Sequence, residues 1–215
     1  LNLSILVCGM HLSPMYGDSI QDIKSDGFNI TDTVDTLPLT STPSAMAQSI
    51  GAATCSFSRS FELLTPDLVL LEGDRGEALA AAISAAHMNI AIAHISGGDV
   101  TGTMIDESIR HAIAKFAHLH FPGTDLSASR LLSMGEEPWR VHMVGTPGSN
   151  VKRELTLSSP EIRKILGLAA SDNLLLVIQH PVTNEETEAP QQIRNTLEAI
   201  RQLEIQTVVI KPNSD

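Results

Sequence analysis

The chain carries most of its chemically useful side chains just after short apolar runs. Asp67-Leu68-Val69-Leu70-Leu71 leads into Glu72-Gly73-Asp74-Arg75-Gly76, and Ile90-Ala91-Ile92-Ala93 leads into His94-Ile95-Ser96-Gly97-Gly98-Asp99. Asp106, Glu107, Arg110 and His111 follow within one short segment, and His180 stands directly before Pro181. Carboxylates grouped with imidazoles suit proton transfer, and an arginine beside a glycine suits the paired oxygens of a diphosphate. Each group also has a plain structural reading. Asp74, three residues before Glu77, fits a capping box, and a carboxylate that accepts backbone N–H groups is a weak base. In that role Asp74 would orient a hydroxyl or Arg75. The four-residue spacings Asp106/Arg110 and Glu107/His111 fit two surface ion pairs worth about 0.5 kcal/mol each. They fit equally well a cluster of acid, base and anion-binding groups at the start of one helix.

Positioning these groups requires strands that end where they begin. Leu3 to Val7, Val34 to Leu37, Asp67 to Leu71, Ile90 to Ala93, Leu119 to Phe121 and Val141 to Val144 are predicted as strands, as are Leu174 to Gln179 and Thr207 to Ile210. Between them the periodicity predicts helices at Ile20 to Asp26, Pro43 to Leu64, Glu77 to Met88, Thr103 to His118, Asp125 to Met134, Pro160 to Leu168 and Glu185 to Leu203. In the fourth of these helices Ile105, Ile109, Ile113 and Phe116 form the expected buried stripe. Strands alternating with helices predict a parallel α/β architecture, whose ligands bind at the carboxyl edge of the sheet. The breaker cluster Gly145 to Asn150 predicts a boundary between a first domain, 1–148, and a second, 149–215. The second has only two strands, a poor core by itself, so the chain is expected to be part of a longer one.

Composition removes whole classes of function. A net charge of −11 argues against nucleic acid or an anionic membrane as partner, while leaving room for a small anion held locally. Aromatic content of 3% argues against a base-stacking platform. No run reaches the length of a membrane span, so a cytoplasmic location is expected. Cys8 and Cys55 are too far apart in sequence to suggest a metal site or a disulfide framework. His118 and His120 lack a third ligand at credible spacing, so no zinc site is expected.

Six stretches taken together resemble the hydrolysing UDP-N-acetylglucosamine 2-epimerases of sialic and related nonulosonic acid biosynthesis. They are Gly9-Met10-His11-Leu12 with Tyr16-Gly17, Gly73-Asp74-Arg75, His94 to Val100, Ile105 to Ala112, Gln179-His180-Pro181-Val182-Thr183, and Pro212-Asn213-Ser214-Asp215. They occur in family order over almost the whole chain. The resemblance implies two Rossmann-like domains of the glycosyltransferase-B type, the second incomplete here, and a homodimer or homotetramer. It implies acid/base roles for Asp74, Asp106 and Glu107. Asp99 is the nearest carboxylate where the family often has an acidic residue and this chain has Ser96. Arg75, His94, Arg110, His111, His180, Asn213, Ser214 and Asp215 are implied to hold the UDP-sugar, with no metal or redox cofactor. The same machinery would serve UDP-diacetylbacillosamine. A glycosyltransferase or a non-catalytic UDP-sugar binder of this fold is the remaining alternative.

Overall fold

The computed structural model describes residues 1–37, 42–100, 105–150, 156–169, 173–181, 185 and 187–212. The chain folds as two units, the first Leu1–Thr146 and the second from Pro147 onward.

In the first unit β1 (Ile5–Cys8) pairs in parallel with β2 (Ile30–Val34). A second parallel sheet has the order β3 (Leu68–Glu72), β4 (Ala91–Ile95), β5 (Leu119–Phe121). The helices are α1 (Ile20–Ser25), α2 (Pro43–Leu64), α3 (Gly76–His87), α4 (Ile105–Phe116) and α5 (Asp125–Ser133). The core lies where α2, α3 and α4 pack together over the strands. It joins Phe57 and Phe61 of α2 to Ala80, Ala81, Ala82 and Ala85 of α3, Ile92 of β4, and Ile109 and Ile113 of α4. The alanine run is what permits this: α3 is apolar nearly all round, as a helix enclosed by neighbours must be, and its small side chains let the flanking helices approach closely. Thr42 caps α2, accepting from the Ala45 N–H at 3.2 Å, and Pro43 takes the first helical position.

Three local expectations change. The second strand is Ile30–Val34 and not Val34 to Leu37. Its exposed threonines alternate with less exposed positions, Ile30, Asp32 and the buried Val34, and the polar hydroxyls mask a strand pattern. Val141 to Val144 forms only an isolated bridge, at Val141. The segment nonetheless runs extended beside β5, its His142 N–H donating to the His120 carbonyl at 2.9 Å and its Val144 N–H to the Pro122 carbonyl at 3.1 Å. In α4 the ends of the predicted stripe are exposed, Ile105 at 57% and Phe116 at 36%; the buried face consists of Ile109, Arg110, Ile113 and Ala114.

In the second unit, β6 (Leu175–Ile178) pairs in parallel with β7 (Thr207–Ile210), accompanied by α6 (Ser159–Ile165) and α7 (Ala189–Leu203). The start of α6 is held by Glu161, whose carboxylate accepts from the Ser158 N–H at 2.8 Å and hydroxyl at 2.6 Å.

Candidate active site

Because β3, β4 and β5 are parallel, the turns after them share one edge, and the first residues of α3 and α5 lie along it. Gly73, at φ +74°, turns the chain out of β3. Ser96 at φ +61° and Gly98 at φ +80° do the same after β4. A serine in the left-handed region is uncommon; here its N–H donates to the Phe121 carbonyl at 3.1 Å, tying the turn to β5.

Arg110 is the hub of this edge. Its side chain is only 7% exposed and forms an ion pair with the Asp74 carboxylate, which is 25% exposed. Its Nη1 also donates to the Asp99 carbonyl at 2.9 Å. One guanidinium from α4 therefore joins the turn after β3 to the turn after β4. The surface-pair reading of Arg110 is thereby corrected: a buried cation needs its partners, and removing one would leave an uncompensated charge. The capping reading of Asp74 is corrected too. Arg75 occupies the N-cap position of α3 and no side chain caps it.

The turn after β4 is gripped from the other side by α5. Ser127, buried, donates its hydroxyl to Asp99 Oδ1, and Arg130 Nη1 donates to the Gly98 carbonyl. Ser127 is oriented in turn by Thr124, the N-cap of α5, with the two hydroxyl oxygens 2.7 Å apart. Asp99 thus anchors its own turn with both its carboxylate and its carbonyl. Ser127 and Arg130 give no signal in the sequence, since their partners lie 28 and 32 residues away.

His94 is not presented to a ligand. Its ring is wholly buried, and Nε2–H donates to the Gly73 carbonyl at 2.7 Å, bracing one turn of the carboxyl edge against the strand that leads to the other. That bond fixes the tautomer and leaves Nδ1 an acceptor, buried with no partner among the described residues. His94 is in register with His120 on β5, also wholly buried, whose Nε2–H donates to Glu136 at 3.2 Å. Glu136 also pairs with Lys115 at 2.7 Å. The neighbouring His118 accepts from the Ile92 N–H at 3.2 Å, so both histidines of that segment serve the fold.

Burial pushes the titration of His94 and of His120 below the ordinary histidine range, and Glu136 only partly offsets this at His120. The unfolded chain therefore binds protons more readily than the folded one between the ordinary value near 6.5 and the depressed folded values. Stability is full above that window and falls as pH drops through it, by up to about 1.4 kcal/mol per pH unit for each histidine. Urea denaturation from pH 7 to 5 should show this slope, and His94→Gln should remove one histidine's share. An unchanged slope in the variant would refute the assignment.

The remaining residues divide clearly. Glu107 and His111 stand one turn apart on α4, 3.9 Å between carboxylate and Nε2. Asp106 occupies the first turn of the same helix and is partly exposed. Arg75 Nε donates to Glu77 Oε2 at 3.3 Å. Burial, reinforced by Glu77, raises the Cys8 thiol to about 11, which keeps it protonated and inert. In the second unit His180 is exposed, two residues beyond the end of β6. Asn213, Ser214 and Asp215 lie outside the described residues, as do Val182 and Thr183. Among the described residues no group of three or more His, Cys, Asp or Glu is arranged to hold a metal ion. No helix among them is long and apolar enough to cross a membrane.

Comparison with known proteins gives one consistent result. A family described as UDP-N-acetylglucosamine 2-epimerase matches residues 1–215. The chain is 39% identical to a UDP-N,N'-diacetylbacillosamine 2-epimerase (hydrolyzing) of Legionella pneumophila, over all of this chain and 57% of that protein. It is 32% identical to a UDP-N-acetylglucosamine 2-epimerase of Neisseria meningitidis, over all of this chain and 56% of that one. It therefore spans a little over half the length of the curated relatives it matches. Its fold is similar to that of the Neisseria meningitidis UDP-GlcNAc 2-epimerase solved with UDP-GlcNAc bound, with a TM-score of 0.68 at 17% identity, covering 99% of this chain and 67% of that one.

Proposed function

Because this chain belongs to the UDP-N-acetylglucosamine 2-epimerase family, we propose that the whole protein is a hydrolysing 2-epimerase that converts UDP-N-acetylglucosamine and water to N-acetylmannosamine and UDP. The observation that carries this reading is the Asp74–Arg110 pair at the carboxyl edge, with Asp106 and Glu107 on the helix that supplies Arg110.

The chemistry explains why such an edge is needed. The C2 proton of the sugar is not acidic, since no carbonyl adjoins it. A carboxylate removes it only as the C1–O bond to UDP breaks, the C2–H electron pair becoming the C1=C2 double bond of a glycal. Charge then develops on the departing diphosphate and requires cationic or N–H donors. Water next adds its oxygen to C1 while a proton is delivered to C2 from the opposite face, which inverts that centre. We assign Asp74 to the acid/base pair, with Asp106 and Glu107 as the other carboxylates available. Arg75 is assigned to the diphosphate, His111 to the sugar's polar groups, and His180, Asn213, Ser214 and Asp215 to the nucleotide. His94, Asp99 and Arg110 hold the edge in shape.

A second reading keeps the mechanism and changes the sugar to UDP-diacetylbacillosamine. It is favoured by the higher identity to the Legionella relative, 39% against 32%. One experiment addresses both. The whole protein is incubated with each UDP-sugar in D2O and the products are followed by NMR. Free UDP with a 2-epimerised sugar carrying deuterium at C2 is the expected result, and the faster substrate identifies the sugar. Binding without UDP release or deuterium uptake would overturn the epimerase assignment, as would transfer to an acceptor with C2 hydrogen retained.

A further inference from the structure

Ser96 holds a central place on the carboxyl edge, and its side chain has no part in the chemistry described so far. Strand β4 runs between β3 and β5, with Glu72 in register with Ile95 and Ile95 with Phe121. One further bond extends the ladder on each side: the Gly73 N–H donates to the Ile95 carbonyl at 3.1 Å, and the Ser96 N–H to the Phe121 carbonyl at 3.1 Å. Ser96 is therefore the first residue past the sheet on its central strand. The Gly73–Asp74 turn flanks it on one side, at about the 4.8 Å spacing of adjacent strands, and Phe121 flanks it on the other.

Its backbone lies at φ +61°, where a Cβ crowds the chain and glycine is favoured. Asp18 and Asn89, also at positive φ, are of the types that tolerate it best. Thr65 and Glu204 take it where they close α2 and α7, an ordinary way for a helix to end. Ser96 instead ends a strand and is followed directly by Gly97 and Gly98. The bond to Phe121 uses only the main-chain N–H, so glycine would serve the backbone there without strain. The Ser96 hydroxyl has no partner among the described residues, and the residue is partly exposed. A strained conformation is thus kept, at the edge where parallel sheets bind ligands, for a side chain that the fold does not use.

We propose that Ser96 is a substrate-contacting residue: its hydroxyl, at the centre of the carboxyl edge and beside the Asp74 turn, hydrogen-bonds the polar groups on C2 and C3 of the sugar. The inference rests on the assignment of the UDP-sugar to this edge. A serine hydroxyl both donates and accepts but stays neutral, so its part is to hold that side of the sugar against Asp74 and not to move the proton. The two candidate UDP-sugars carry the same groups at C2 and C3, so the contact serves either.

The test uses Ser96→Ala and Ser96→Gly in the whole protein, reading kcat/KM by UDP release, the Kd for UDP and the urea midpoint. Ser96→Ala keeps the Cβ and removes only the hydroxyl. Both variants should lower kcat/KM about five- to tenfold on either sugar, with the Kd for UDP within about twofold of the parent. Ser96→Gly should do this at a urea midpoint equal to or above the parent's, because it relieves the positive φ. A purely structural serine would not lose activity while strain is relieved. The role is overturned if kcat/KM of Ser96→Ala stays within about twofold of the parent, if UDP affinity falls equally, or if Ser96→Gly loses midpoint and activity together. A loss confined to one of the two sugars would put the hydroxyl at C4 or C6 and overturn the contact beside C2. Failure of the epimerase reading is separate, since the parent alone reports it by binding a UDP-sugar and releasing no UDP. The contact is then read from the ratio of the Kd for UDP-sugar to the Kd for UDP, which Ser96→Ala should still raise about five- to tenfold. A parent that binds neither sugar overturns both.

Discussion

Asp74→Asn in the whole protein is expected to lower kcat by about 10²–10⁴-fold, the usual range for loss of a general acid or base. The substitution suits the question because asparagine keeps the shape and an oxygen that can still accept from Arg110. Arg110 also retains its bond to the Asp99 carbonyl at 2.9 Å. The stability cost of leaving that buried guanidinium opposite a neutral amide should be about 1–3 kcal/mol. Activity is therefore normalised to the folded fraction, taken from a denaturation curve on the same sample. A normalised kcat within about threefold of the parent would make Asp74 a structural partner of Arg110 and nothing more. Asp106→Asn, measured alongside, identifies which carboxylate takes the C2 proton. Loss of the base should abolish UDP release and deuterium incorporation together, whereas loss of the opposing acid should leave UDP release in place and slow the delivery of deuterium to C2.

Gly98→Ala is expected to be the most destabilising single substitution along the carboxyl edge, at about 3 kcal/mol or more. Two separate costs combine. At φ +80° any Cβ is strained, by about 1–2 kcal/mol. A Cβ at this position would also lie 2.3 Å from the Ser127 carbonyl oxygen and 2.9 Å from the Leu131 side chain. The first of these is helix backbone and cannot move aside without pulling α5 away. The Ser127–Asp99 and Arg130–Gly98 bonds would go with it. Gly17 isolates the strain cost, since it has φ +100° but nothing within 4 Å of its Cβ position. Gly17→Ala should cost only that strain, about 1–2 kcal/mol. Equal losses at the two glycines, measured by urea unfolding, would show that close packing of α5 on the turn is not what demands glycine at position 98.

The site is legible in sequence to the extent that its groups are local. A strand that ends in glycine and charge announces itself within ten residues, so the turns after β3 and β4 and the start of α4 stand out with their carboxylates and cations. The pairings do not. Spacing puts Arg110 with Asp106, whereas the fold buries it against Asp74 and Asp99. Spacing makes Asp74 a cap, whereas Arg75 occupies that position. Ser127 and Arg130 leave no mark in the sequence because each meets the edge from an element distant in the chain. Glu77 shows there only as half of a capping box. His94 reads as a ligand for substrate because a histidine after a strand looks the same whether it points to solvent or beneath the turn.

From the order of its residues alone, this protein is determined to be a parallel α/β chain with an alanine-rich central helix and reactive groups at the strand ends. Those features follow from apolar periodicity and backbone preference, which act between near neighbours. Only the tertiary structure decided that one buried arginine would bind two turns together, that α5 would close on Gly98, and that the paired histidines of two adjacent strands would be wholly buried. These depend on which surfaces come within about 3 to 4 Å once the core has formed. A charged group buried there pairs with whatever the fold brings against it, whatever stands four residues away in the chain.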